Sequence, residues 1–206
     1  MIIKQVKDLK VPFDGEFFPE NLPEAWLETK EWNISIYPWG NEYRPDTRGR
    51  VGMRGDTMCV LMYAREEEIQ ANEKQTGGMV CIDSCMEFFF QPFSAEEGYV
   101  NCEINPLGVI HIGVGPKGNR KVYTTLPEGV APVTSKHNGA WWAAYYELPA
   151  SFFIENFGKK LGDSIRANMY RCGGKNEHYG AMLPIEWPHP NFHCPEFFGD
   201  VKVEVE

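Results

Sequence analysis

Apolar and polar side chains alternate along much of this chain with a period of two, the pattern expected of β-strands. Turn sequences that contain glycine or proline, such as residues 76–78, 105–108 and 137–139, separate the alternating segments. Helical patterning is confined to residues 23–30 and 149–157. Strands are therefore predicted over residues 32–37, 58–63, 85–90, 99–105, 109–114, 141–148 and 165–171.

Many short strands joined by such turns indicate an all-β fold. We predict one β-sandwich domain over residues 1–206, of immunoglobulin-like or jelly-roll type, with one or two short helices. One sandwich suffices for a chain of this length, because all-β domains commonly reach about 200–250 residues.

Charge and hydropathy narrow the range of partners. The net charge of −9, with no basic stripe, argues against nucleic acid, since neutralising phosphates supplies most non-specific affinity. The longest apolar run, residues 140–146, is far shorter than the roughly 20 residues that cross a bilayer, so no membrane partner is expected. The first residues lack the apolar centre of a signal peptide, so a cytoplasmic protein is expected; the alternative is a secreted protein whose signal is absent from this sequence.

The six cysteines are expected to be free thiols. Most of them lie within apolar strand patterns, and buried thiols are typical of a reducing compartment. The sequence holds no Cys-x-x-Cys pair, which argues against a zinc site.

The alternation also places polar side chains on one side of the predicted central strands. Asn101, Glu103 and Asn105 share one side of a strand, and Glu87 and Arg166 take the matching side of two others. Carboxylate, amide and guanidinium groups are suited to the paired hydroxyls of a sugar. A plain solvated sheet face is polar too, so two interpretations stay open: a solvated face and a carbohydrate-binding face.

Five blocks between about residues 80 and 200 follow one another in a recognisable order. They are Asp83-Ser-Cys-Met-Glu-Phe-Phe89, Tyr99-Val-Asn-Cys-Glu-Ile-Asn-Pro-Leu-Gly108, Arg166-Ala-Asn-Met-Tyr-Arg-Cys-Gly173, Glu177-His-Tyr179 with Pro184-Ile185, and Asn191-Phe-His-Cys-Pro-Glu-Phe-Phe-Gly199. In this order they resemble family 9 carbohydrate-binding-module-like proteins, of the DOMON-like β-sandwich superfamily. The resemblance covers over half of the chain.

The resemblance implies a β-sandwich that binds a mono- or oligosaccharide without cleaving it, beside enzymes of carbohydrate catabolism. In this family carboxylate, amide and arginine groups bond to sugar hydroxyls. No cofactor is implied, although some members hold a structural calcium ion. Glu87 matches the carboxylate of the first block, and Asn101, Glu103 and Asn105 match polar positions of the second.

Family members hold the sugar between two tryptophan faces, and here the tryptophans match poorly. Where relatives often show Leu-Ser-Trp before Pro-Ile, residues 180–185 read Gly-Ala-Met-Leu-Pro-Ile. Trp39 and Trp187 lie in turn-like sequences rich in proline, so we expect one of them to stack on the sugar. The alternative is that both rings fill one end of the sandwich.

Two further functions remain as alternatives. Glu87 and Glu103 face the same side of neighbouring strands, and glycosidases use two carboxylates about 5–9.5 Å apart. A haem or metal site would draw on the C-terminal histidines, but Pro188 and Pro190 exclude the helix that a zinc-binding His-x-x-x-His pair needs. No residue is therefore assigned as catalytic or as a metal ligand.

Overall fold

The computed structural model describes residues 1–173 and 177–205. Within them the helices are α1 (Glu24–Leu27) and α2 (Ala150–Phe157), with 3-10 turns at Pro19–Asn21, Val80–Ile82 and Pro195–Phe197. None of these helices is long and apolar enough to cross a membrane. The strands are β1 (Ile2–Gln5), β2 (Glu31–Ile34), β3 (Ile36–Gly40), β4 (Thr47–Arg54), β5 (Thr57–Arg65), β6 (Cys85–Gln91), β7 (Tyr99–Ile104), β8 (Ile110–Gly115), β9 (Lys121–Val122), β10 (Val133–Thr134), β11 (Trp141–Leu148), β12 (Ser164–Gly173), β13 (His178–Ala181) and β14 (Gly199–Val203).

The described strands form two layers that are joined at one edge. The first layer has the order β10-β11-β5-β4-β1, with β2 beside β4. The second has the order β14-β12-β6-β7-β8-β9, with β13 beside β12 and β3 beside β13. Strand β1 pairs in parallel with β4 and with β14, so it connects the layers. The predicted all-β sandwich with few helices is confirmed.

The core lies between the two layers because each strand turns alternate apolar side chains inward. The first layer contributes Val60 and Trp142, and the second contributes Phe88 and Ile112. Helix α2 closes one end of this core, and its Phe153 side chain is fully buried there. The other side chains of the second layer consequently point away from the core.

The prediction of one strand over residues 32–37 is wrong in one respect. The segment forms two strands, because β2 pairs with β4 in the first layer while β3 pairs with β13 in the second. The chain therefore passes from one layer to the other at Ser35. Alternation is a local property that does not reveal which strand is the partner. The consequence is that Trp39 lies on strand β3 rather than in a turn.

Candidate functional site

The outward side of the second layer, here called the outer face, is not a solvated surface. Glu87 on β6, Asn101 on β7 and Tyr170 on β12 are all buried, although none of them points into the main core. Two loop regions that flank Val80 and Phe192 cover the outer face and form a second apolar cluster with it. The solvated-face interpretation is therefore excluded.

A cavity of about 280 Å³ remains between the outer face and these loops. Its volume lies just below the roughly 300–1,000 Å³ of typical small-molecule sites, so it suits a ligand about the size of one sugar ring. Its floor is buried, whereas Ile82 and Pro190 at its rim are exposed. The lining residues are Cys81, Ile82, Glu87, Phe89, Glu103, Cys172, Tyr179, Pro190, Asn191, Phe192 and His193.

Two carboxyl groups form the polar part of the cavity floor. Glu87 and Glu103 lie directly opposite each other on the antiparallel strands β6 and β7, and they are only 2% and 6% exposed. The amide of Asn101 donates a 2.8 Å hydrogen bond to Glu103 Oε1. Glu87 Oε1 has no hydrogen-bond partner among the described residues. Buried polar atoms are nearly always paired, so the missing partner of this oxygen points to a ligand.

The two carboxyl groups differ in their surroundings. Burial raises the pKa of Glu87 well above its usual range, and the nearby charge of Glu103 raises it further. Burial also raises the pKa of Glu103, but His111, Asn101 and Arg120 favour its charged form. A proton shared by the pair therefore resides on Glu87. A protonated carboxyl donates a hydrogen bond and an ionised one accepts it, a combination suited to neighbouring sugar hydroxyls.

Arg120 positions Glu103 through Asn101. Its guanidinium lies 3.7 Å from the centroid of the Tyr99 ring and donates hydrogen bonds to Gly115 O and to Asn101 Oδ1. Gly113 lies opposite Asn101 on strand β8, and a side chain there would collide with Asn101 Oδ1. The glycine thus leaves room for the chain of hydrogen bonds that orients the Glu103 carboxylate.

An aromatic wall lies beside the carboxyl pair. The Phe192 ring stacks on Tyr170 with centroids 4.2 Å apart, and Tyr179 lies beside Phe192. His193 Nδ1 shares a 2.8 Å hydrogen bond with the Tyr99 hydroxyl. Burial, with the positive charge of Arg120, lowers the pKa of His193 to about 4, so this ring is neutral at pH 7.

The two tryptophans meet beside the cavity without lining it. Trp39 Nε1 donates a 2.8 Å hydrogen bond to the backbone oxygen of Trp187, and the Trp39 ring packs against Phe192. The ammonium group of Lys117 lies 5.4 Å from the Trp187 ring centroid. Both rings are half-buried, so each keeps some surface for a ligand that extends out of the cavity.

Asn105 and Arg166 do not lie at this cavity. Asn105 Nδ2 donates 2.9 Å hydrogen bonds to Asp83 Oδ2 and to Glu73 O, which holds a covering loop to the end of β7. Arg166 shares the outer face with Glu87, but it lies four residues, about 13 Å, along β12 from the residue that pairs with Glu87. Arg166 lines a separate groove and donates hydrogen bonds to backbone oxygens there. Arg166 is therefore on the predicted side of the sheet but away from this cavity, because alternation sets the side of a residue and not its distance along the strand.

The calcium ion that the resemblance allows stays an expectation. The buried Asp83 carboxylate accepts hydrogen bonds from the backbone N–H groups of Asn72 and Glu73 and from the Asn105 amide, so its oxygens are engaged within the protein. In residues 1–173 and 177–205 no group of three or more His, Cys, Asp or Glu side chains is arranged to hold a metal ion. The haem alternative gains no support, since His178 is buried against Tyr43 and His189 is exposed.

Several residues at the cavity were missed as site residues by the sequence analysis. Tyr179, Phe192 and His193 lie within two of the five blocks that carried the family resemblance, so that resemblance could have identified them. Arg120 lies outside those blocks, in a glycine-rich turn sequence. Only the fold brings its guanidinium to Asn101.

Comparisons with known proteins place this sandwich among carbohydrate-binding modules. A structure from Bacteroides uniformis ATCC 8492, provisionally described as a carbohydrate-binding protein, has 25% identity and a TM-score of 0.81, with 99% of this chain and 98% of that chain covered. A family 9 carbohydrate-binding module from Caldicellulosiruptor kristjanssonii in complex with glucose has 10% identity and a TM-score of 0.62, covering 100% of this chain and 97% of that one. A family 9 carbohydrate-binding module from the same organism in complex with cellotriose has 10% identity and a TM-score of 0.61, covering 100% of this chain and 95% of that one.

The family model described as "Carbohydrate-binding family 9" matches residues 16–203. The chain therefore belongs to carbohydrate-binding family 9. No curated protein matches it.

Proposed function

We propose that this protein binds a mono- or oligosaccharide without cleaving it, with one sugar ring in the cavity between the outer face and the loop at Phe192. The observation that carries the proposal is the floor of the cavity. There Glu87 Oε1 is buried without a partner, beside the carboxylate of Glu103 and next to an aromatic wall. Hydrogen-bonding groups together with aromatic faces match the polar edge and apolar face of a pyranose.

Family membership and the related modules in complex with glucose and cellotriose support this proposal. An oligosaccharide would place one ring in the cavity and extend its neighbours past Trp39 and Trp187. We further propose that the protein works beside enzymes of carbohydrate catabolism, and that it is cytoplasmic.

Calorimetric titration with glucose, cellotriose and other neutral sugars tests the proposal. Replacing Glu103 with Gln keeps the shape of the side chain but removes its charge, and Phe192→Ala removes part of the wall. A hydrogen bond to a charged group contributes about 1.5–3 kcal/mol, so Glu103→Gln should weaken binding about tenfold or more, and the loss of the Phe192 ring should weaken it as well. The control is Glu128→Gln, an exposed glutamate outside the cavity lining, which should leave binding unchanged.

The catalytic alternative has its own assay. We expect no sustained release of chromophore from aryl-glycosides. Release that disappears in both Glu87→Gln and Glu103→Gln would show instead that the carboxyl pair hydrolyses glycosidic bonds. A parent protein that binds none of the sugars would refute the proposed function.

A further inference from the structure

The acidic groups on the cavity floor form no ion pair with any residue that the structure describes. No lysine or arginine lines the cavity, and no ion pair reaches Glu87 or Glu103 within the described residues. Buried carboxylates are normally paired with a cation, because an uncompensated buried charge is costly. Here the described part of the chain supplies no such partner.

The nearest basic side chains make their hydrogen bonds elsewhere. Arg120 stacks on Tyr99 and bonds to Gly115 O and Asn101 Oδ1. Arg171 lies on the inward side of β12 and pairs with Glu66 at 2.5 Å. His111 Nδ1 donates to the backbone oxygens of Gly77 and Gly78, 3.0 and 3.1 Å away.

The other titratable groups around the pair supply no positive charge. Burial lowers the pKa of His193 to about 4, which leaves it neutral. Burial raises the pKa values of the nearby thiols, Cys81, Cys85 and Cys172, and of the Tyr170 hydroxyl, so these groups are neutral as well. The Tyr179 hydroxyl, at the wall, also has a pKa raised by burial.

Because no described residue forms an ion pair with either carboxyl, the proton on Glu87 is what keeps the floor from holding two charges. Burial and the charge of Glu103 both favour that proton. A ligand cation bound between the two carboxyls would compensate their negative charge instead of the proton. Its hydrogen bonds to them would be charge-assisted and therefore stronger. The rings of Phe89 and Phe192 at the cavity also favour a cation, since aromatic faces attract positive charge. The net charge of −9 attracts cationic ligands at long range.

We propose that the cavity selects a cationic amino sugar, a pyranose with a free ammonium group, which binds between Glu87 and Glu103. This inference rests on the proposed function, because the remainder of the ligand is a sugar ring held by the same floor and wall. The ammonium group donates to Glu87 Oε1, the oxygen that has no partner, and to Glu103. The proton of Glu87 leaves to solvent as the ammonium group enters.

Calorimetry at pH 6 with glucosamine, N-acetylglucosamine and glucose tests the selection, since only the first carries a positive charge. In the parent protein glucosamine should bind about tenfold or more tightly than either neutral sugar. Glu87→Gln should abolish that preference, whereas Glu128→Gln should retain it. Titration in two buffers of different ionisation enthalpy should show proton release with glucosamine and none with glucose.

The outcomes separate the two proposals. If glucose binds as tightly as glucosamine to the parent, amino-sugar selection is refuted while saccharide binding stands. If cyclohexylammonium binds as tightly as glucosamine, the site recognises any organic cation and the inference also fails. If neither these sugars nor longer oligosaccharides bind, both amino-sugar selection and the proposed saccharide binding are refuted. If Glu87→Gln does not fold, Glu103→Gln provides the second variant. The comparison of glucosamine with the neutral sugars on the parent protein tests amino-sugar selection without either variant.

Discussion

Acid should destabilise this protein through His178, a buried histidine on the side of β13 opposite Tyr179. Its imidazole is fully buried against Tyr43, and neither ring nitrogen has a hydrogen-bond partner among the described residues. Burial, with the positive charges of Arg171 and Arg44, lowers the pKa of His178 to about 3. In the unfolded chain a histidine titrates near 6.5. Between these pH values the unfolded state binds the extra proton, so the free energy of unfolding falls as the pH falls.

The size of the effect follows from the two pKa values. Each pH unit inside the window costs about 1.4 kcal/mol, which gives a loss of about 2 kcal/mol between pH 7 and pH 5. His193, with its pKa lowered to about 4, adds a loss of the same sign. Glu87 has the opposite sign, because its raised pKa means that the folded state holds the proton. His178 must therefore be isolated by a variant that leaves His193 and Glu87 in place.

Urea unfolding at pH 7 and pH 5 makes that comparison between the parent and His178→Phe. The parent should lose about 2 kcal/mol more than the variant between the two pH values. Any packing cost of the phenylalanine is independent of pH and cancels in this difference. His189→Gln, at an exposed histidine, should behave like the parent. Equal losses in the parent and His178→Phe would refute the reasoning.

Three further predictions concern stability, thiols and binding. Arg171→Met should lower the free energy of unfolding by about 3–5 kcal/mol in urea titrations, because it leaves the Glu66 carboxylate buried without its partner; a loss below 1 kcal/mol would contradict this. All six cysteines should react with a thiol reagent under denaturing, non-reducing conditions. A count of four reactive thiols would indicate one disulfide. Cys85 and Cys172 would then be the candidate pair, because they lie opposite each other on β6 and β12 at a backbone spacing that suits a disulfide. Trp39→Ala should weaken oligosaccharide binding about tenfold in calorimetry while Lys202→Ala has no effect, and equal affinities would place the sugar elsewhere.

Much of the central sheet could be predicted from the sequence because alternation is a local signal. Strands β6, β7, β8, β11 and β12 match the predicted segments closely. The same alternation correctly placed Glu87, Asn101 and Glu103 on one side of neighbouring strands. The short strands β1, β13 and β14 were not predicted, since they contain few residues and their stability comes from pairing with distant parts of the chain.

The candidate site was predicted only in part, and the reason lies in its construction. Glu87 and Glu103 were expected together, and the register of β6 and β7 places them directly opposite each other. The covering loops could not be foreseen, because nothing in a loop sequence states which face it will pack on. Those loops turn a polar sheet face into a buried floor, and they bring Phe192 and His193 to it.

By itself the sequence determined the alternating strands, the side of the sheet on which Glu87 and Glu103 lie, and the family to which the chain belongs. The tertiary structure decided that the outer face is covered, that Arg120 rather than Arg166 acts on the carboxyl pair, and that Trp39 reaches Trp187 from strand β3. The physical reason is the distance along the chain between the residues that set each property. Side-chain direction along a strand follows from the covalent geometry of neighbouring residues, whereas burial, pKa and cavity shape depend on contacts between residues that are far apart in the chain.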